Sequence, residues 1–134
     1  MKRKNQRELL IKMFYEMEMN KDFGNQIYKS FLENNSINNL EDKYFYSLYE
    51  LYIKNKEAID ESIKSLISLS WDMSRIAKVD LSILRVAVTE IVHMEDIPYK
   101  VSINEAINLA KDYGDESSYK FINGILGNLM KQIQ

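Results

Sequence analysis

Residues 79–94, VDLSILRVAVTEIVHM, carry apolar side chains around nearly the whole circumference of a helix. A helix without a wet face has to lie in the middle of a bundle, enclosed by other helices. The rest of the chain is written to supply them. With four glycines and one proline in 134 residues, against roughly 12% in average usage, it lacks the punctuation that many short strands or long loops require. An all-α fold of one domain over residues 1–134 is the expectation.

Apolar spacing of three and four residues divides the chain into seven helices. Leu10, Met13, Phe14 and Met17 mark the inner face of the first, which should end near Asn20. A second is expected from an N-cap at Asp22 to about Glu33, with Ile27, Phe31 and Leu32 inward. The polar run NNSINN at 34–39 is a loop. From Leu40 a third helix carries Phe45, Leu48 and Tyr52 and stops at Asn55; a fourth runs from about Lys56 to Leu69 with Ile59, Ile63, Leu66 and Ile67 on one side. The buried helix is expected to be capped by Asp80 and ended by Pro98. Ser102-Ile103-Asn104-Glu105 reads as a capping box at the start of the sixth, and Gly114 as the left-handed residue after its end. Asp115 or Ser117 then opens a last helix with Ile122, Ile125, Leu126, Leu129 and Ile133 inward.

Catalysis has no visible apparatus, so a non-enzyme without cofactor or metal is expected. His93 is the only histidine and there is no cysteine, which removes thiol chemistry and the usual metal-ligand spacings. Asp60/Glu61, Glu95/Asp96 and Asp115/Glu116 are adjacent pairs, which a helix points about 100° apart rather than into one site. No phosphate-cradling glycine motif occurs. Glu8, Lys12 and Glu16 break any signal-like apolar stretch after the basic start, and no apolar run approaches the roughly 18 residues of a membrane span. A soluble cytoplasmic protein is the expectation.

The net charge of −2 argues against nucleic acid only as an average. Lys2, Arg3, Lys4 and Arg7 place +4 on residues 1–7 with no acid among them, which leaves −6 on the rest; after Glu116 the chain holds Lys120 and Lys131 and again no acid. A basic terminus of this kind can meet phosphates, or be a solvated tail. Beside Lys120, Phe121 suits either stacking on an unpaired base or the core, being four residues before Ile125. The tyrosines at 44, 46, 49 and 52 read as core with an amphipathic rim. Gly124 and Gly127 each cost a helix up to about 1 kcal/mol, which close approach of a helix or a ligand would explain. Arg85 and Glu90, inside the most apolar helix, have to be paired or face a partner.

From Val79 onward the chain resembles the NusB family of transcription antitermination factors. The resemblance lies in VDLSILRVAVTEI at 79–91, IPYKVSINEAINLAKDYG at 97–114 and SYKFINGIL at 118–126, with RELLIKMFY at 7–15 similar to that family's first helix. It is specific over about residues 71–130, moderate over 1–20 and weak over 21–70. It implies two small helical bundles joined at the long buried helix. It further implies binding of the boxA element of nascent RNA together with a small-subunit ribosomal protein, NusE, in an RNA polymerase antitermination complex on ribosomal RNA operons. By position it assigns RNA contact to Arg3, Lys4, Arg7, Lys120 and Phe121, and the NusE surface to Tyr15 and Asp80, where the acid could equally cap its helix. Asn5 and Gln6 interrupt the basic start, and Ser117 stands where an aspartate is common. The competing classes are a helical adaptor or self-associating homodimer with an incidental basic terminus, and an rRNA maturation factor.

Overall fold

A computed structural model describes residues 1–67 and 73–133. Among these lie seven α-helices, α1 (Arg3–Asn20), α2 (Asn25–Asn34), α3 (Lys43–Lys54), α4 (Lys56–Leu66), α5 (Lys78–His93), α6 (Tyr99–Tyr113) and α7 (Ser118–Ile133), and one 3-10 turn, Met73–Arg75. The expected end of the fourth helix at Leu69 falls outside the described residues.

Every residue of α5 from Asp80 to Ile91 is buried, as its all-round apolar sequence requires. Helices α1, α3 and α4 pack on one part of it and α6 and α7 on another; α4 also touches α7. Two groups of helices thus share α5 as a common member. The buried hydroxyls of α5 are satisfied within the helix, Ser82 donating to the Lys78 carbonyl and Thr89 to that of Arg85. Truncating a fully enclosed side chain such as Leu84 would leave a cavity costing about 2–5 kcal/mol. Over α3 lies an aromatic layer: Tyr28 of α2 stacks on Tyr49 at 3.8 Å between centroids, and Phe31 on Phe45 at 6.2 Å. Tyr44, Tyr49 and Tyr52 are buried and Tyr46 is exposed, the core with a rim that the spacing indicated.

Helix ends are where the structure departs from the sequence reading. α1 stops at Asn20 because Lys21 turns left-handed (φ 55°, ψ 37°), its N–H bonding to the Glu18 carbonyl while that of Asp22 bonds to Met17. This is the six-to-one, five-to-two closure of a Schellman motif. Asp22 is therefore absorbed in ending α1 and in accepting the Gly24 N–H at 2.8 Å, and the N-cap of α2 is Gly24. The same closure ends α2, with Ser36 at φ 52°. α3 begins at Lys43 rather than Leu40, which is exposed in a turn closed by Asn38 and Asp42.

Five further expectations are corrected. Asp80 does not cap α5, whose N-cap is Ala77; it sits one turn inside. The helix stops at His93, short of Pro98, and Pro98 is the N-cap of α6. Ser102 is consequently well inside α6, and its hydroxyl donates to Glu90 at 2.8 Å instead of capping. Gly114 is extended (φ −97°, ψ −172°) rather than left-handed. Space is what demands glycine there, since a Cβ would stand 2.4 Å from Ser118 Oγ. Ile133, expected inward, is exposed.

Candidate nucleic-acid interface

The first turn of α1 carries Arg3 and Lys4 and follows Lys2; it has no acidic residue and no side-chain cap. Unpaired backbone N–H groups and the helix dipole already make this end positive. Cations there are unfavourable by about 0.3–1 kcal/mol each, so the arrangement is primed for an anion. It is not a loose tail. The Gln6 amide donates to the Met1 carbonyl at 2.9 Å and accepts from the Phe45 N–H at 2.8 Å, and the Met1 amine lies 3.3 Å from Asp42. Arg3, exposed, rests its guanidinium 5.1 Å from the centroid of the Tyr44 ring.

Arg7 departs from its assignment to RNA. Its side chain is buried and forks onto Glu90 of α5, Nε to Oε2 at 2.6 Å and Nη2 to Oε1 at 2.9 Å. Tyr44 and Ser102 donate to the same carboxylate. Burial opposes the charge on Arg7, but the hydrogen bond to Glu90 together with the charges of Tyr44, Glu90 and Glu105 outweighs it and the pKa rises. Those donors are aimed inward, away from any surface a phosphate could reach. The arginine at the head of RELLIKMFY is thus a core ion pair, and the exposed cations of this segment are Lys2, Arg3 and Lys4.

Arg85 is paired as well, its Nη1 2.6 Å from Glu18 and its Nε 3.2 Å from Asp60. That Arg85 and Glu90 needed partners was readable; which residues serve was not, because those partners lie 12 to 83 residues away in sequence.

Lys120 is exposed on α7, while Phe121 is partly buried against the core. The two line an open groove of about 390 Å³ with Leu66, Ile67, Gly124, Ile125 and Asn128. Phe121 thus serves the core and faces the groove. A Cβ at Gly124 or Gly127 would meet nothing within 4 Å, so close helix packing does not account for either glycine.

Tyr15 is exposed on α1. Asp80 is buried, with Oδ1 lacking a hydrogen-bond partner. Burial raises its pKa, the Ser118 hydroxyl counteracts, and Asp115 adds to the rise. The sequence-derived groups do not gather in one place: the basic start of α1 lies toward one end of α5, whereas Asp80, with Lys120 and Phe121 just past Ser118, lies toward the other. Arg7 binds Glu90 near one end and Asp80 neighbours Ser118 near the other, about 15 Å apart at 1.5 Å per residue. Tyr15 goes with the Asp80 end, because Glu18, one turn further along α1, pairs with Arg85 and Lys78. His93 is partly buried, and no group of three or more His, Asp or Glu among the described residues is placed to hold a metal. No helix among them is long and apolar enough to cross a membrane.

An enclosed central helix, an uncapped cationic helix start and a lysine-phenylalanine groove define an all-helical binding module. The NusB family model matches residues 4–131. The chain is 48% identical over 132 residues to the transcription antitermination protein NusB of Alkaliphilus oremlandii, covering 98% of this chain and 95% of that one. To the protein of the same name from Clostridium novyi it is 42% identical, covering 98% and 99%. Among solved structures it superposes on T. maritima NusB with a TM-score of 0.86 at 30% identity, covering 98% and 92%. It shares its fold, at a TM-score of 0.84 and 24% identity over 97% and 96%, with a chain from a structure of the antitermination factors NusB and NusE in complex with dsRNA. The chain belongs to the NusB family.

Proposed function

We propose that this protein is a transcription antitermination factor that binds boxA-type single-stranded RNA together with the ribosomal protein NusE and supports processive transcription of ribosomal RNA. One observation carries the RNA part: Lys2, Arg3 and Lys4 crowd the positive end of α1, whose first turn has no acid and no side-chain cap, an arrangement that a polyanion stabilises. Lys120 and Phe121 supply the second contact, a phosphate-facing cation beside a ring that can stack on a base. Arg7 acts from below by anchoring α1. Tyr15, exposed on α1, belongs to the surface for NusE, and Asp80 acts from beneath it near the start of α5. The names of the relatives support the antitermination role, and a fold neighbour solved with NusE and a double-stranded RNA supports NusE and RNA as partners, though not the single-stranded form. The chain works as one module in the cytoplasm, within the polymerase complex and without catalysis.

The test is binding of a boxA RNA to the full chain, with and without NusE, between about 50 and 200 mM salt. Replacing Lys2, Arg3 and Lys4 with glutamine should reduce the slope of log affinity against log salt by about 2, at about 0.7 per phosphate contact for a single strand. Phe121→Asp should weaken binding with NusE present or absent. Salt-independent binding, or no binding, would instead favour an adaptor that meets only proteins. A terminator read-through assay separates antitermination from a role in rRNA maturation.

A further inference from the structure

We propose that Lys12 and Tyr113 form an additional RNA contact, with the Tyr113 ring stacking on an unpaired base and the Lys12 ammonium meeting the neighbouring phosphate. This rests on the RNA reading above and extends it to residues that reading does not include. Lys4, Glu8, Lys12 and Tyr15 follow one another at spacings of four, four and three, and so share one face of α1. That face joins the cationic helix start to the residue assigned to NusE. Tyr113, at the end of α6, is 40% exposed beside it. Its hydroxyl donates to Glu8 at 3.2 Å, and the Lys12 ammonium stands 5.8 Å from its ring centroid.

The ring and the lysine suit a strand of RNA, whose phosphate meets Lys12 and stays clear of the Glu8 carboxylate on the hydroxyl side of the ring. A ring tethered through its hydroxyl offers a fixed stacking surface, so little freedom is lost when a base settles on it. At 5.8 Å the lysine is near the outer limit of a cation–π contact and is free to move to a phosphate. The α6–α7 turn is rigid, because Asp115 accepts from the Ser117 and Ser118 N–H groups while its own N–H donates to Ser118 Oγ at 3.1 Å. Tyr113 is therefore held at a fixed offset from Lys120 and Phe121. A strand running from the start of α1 to α7 meets Tyr113 on the way.

The experiment is anisotropy titration of the full chain with a fluorescent twelve-nucleotide boxA RNA over the same salt range. Lys12→Ala should reduce the salt slope by about 0.7. Tyr113→Leu should weaken binding by at least about fivefold, the lower end of what one stacked base contributes, and leave the slope unchanged. Tyr113→Phe, which keeps the ring and loses the tether to Glu8, should fall between the parent and Tyr113→Leu, and Lys64→Ala, on α4, should match the parent. Parent-like affinity and slope for both Lys12→Ala and Tyr113→Leu, alongside losses for Lys4→Ala and Lys120→Ala, would overturn this contact and leave the RNA reading standing. Absence of RNA binding by the parent would overturn both.

Discussion

Two buried charge clusters hold the helices to α5, and they are built differently. Around Glu90 everything is closed: the side chains of Arg7 and Glu90 are 4% and 1% exposed, and one carboxylate collects Arg7, Tyr44 and Ser102. Around Arg85 one guanidinium, equally buried, is shared between Glu18 and Asp60, which are 10% and 19% exposed and which Lys21, Lys56 and Lys78 approach from the solvent side. A closed pair has no substitute partner when one member is lost, because water cannot enter to solvate the other. The second cluster can be repaired by water and by its peripheral lysines. Similar ion pairs on one helix should thus answer very differently to mutation.

The largest effect is expected at the closed pair. Arg7→Leu should cost about 3–5 kcal/mol in denaturant unfolding by leaving Glu90 buried without a counter-charge, held only by the Tyr44 and Ser102 hydroxyls, and Arg7→Leu with Glu90→Leu should recover much of it. A double mutant no better than the single would break the contrast. Next, Asp60→Asn should cost only about 1–2 kcal/mol, since the Arg85 bond to Glu18 persists; a loss as large as that of Arg7→Leu would show that the open cluster is not solvent-repaired.

The open cluster should also answer to acidification. Arg85 and Lys21 hold the Glu18 carboxyl below its ordinary value of 4.5, against the opposing effect of burial. A depressed folded pKa means that the stabilisation is complete above the unfolded value and is lost as pH falls through the folded one. Glu18→Gln should therefore flatten the decline of stability below about pH 4.5, measured by urea unfolding across pH. An unchanged decline would remove Glu18 as its source. Asp80 works the other way, its raised pKa making the folded state less stable above that pKa and relieving it as pH falls.

The smallest effect concerns backbone. Lys21 and Ser36 occupy left-handed conformations, while none of the four glycines does. Lys21→Gly and Ser36→Gly should each stabilise by up to about 1 kcal/mol, as the left-handed region costs a side chain about 1–2 kcal/mol and glycine gives part of that back in unfolded-chain entropy. A lower melting temperature in either variant would mean that the side chain holds the turn.

These cases explain what could be read in advance. The central position of α5 followed from its own composition, because a helix with no polar face has one possible environment. Its charges announced that they needed partners. Yet Ser102 fits a capping box as well as it fits a hydrogen bond to Glu90, and only the early start of α6 at Pro98 decides between them. Gly114 fits a left-handed cap until Ser118 is seen to leave no room for a Cβ. Arg7 looked like one of four cations in the first seven residues, although it lies one turn deeper than Arg3 on the same face of α1, where Glu90 receives it, while Arg3 and Lys4 at the helix start stay exposed. Helix identity is local, but the direction and partner of a polar side chain depend on residues tens of positions away.

The Tyr44 ring touches both worlds: its hydroxyl is bound to Glu90, and its face carries Arg3, 5.1 Å from the centroid, and Arg7 at 5.2 Å. Genetics on this protein will be misled by that adjacency. A screen for alleles defective in RNA capture should return changes at Tyr44 and Glu90 that no nucleotide ever meets, because disturbing the ring or its anchor displaces the arginine above it. Mapping a ligand footprint from such alleles alone would draw it a full layer too deep.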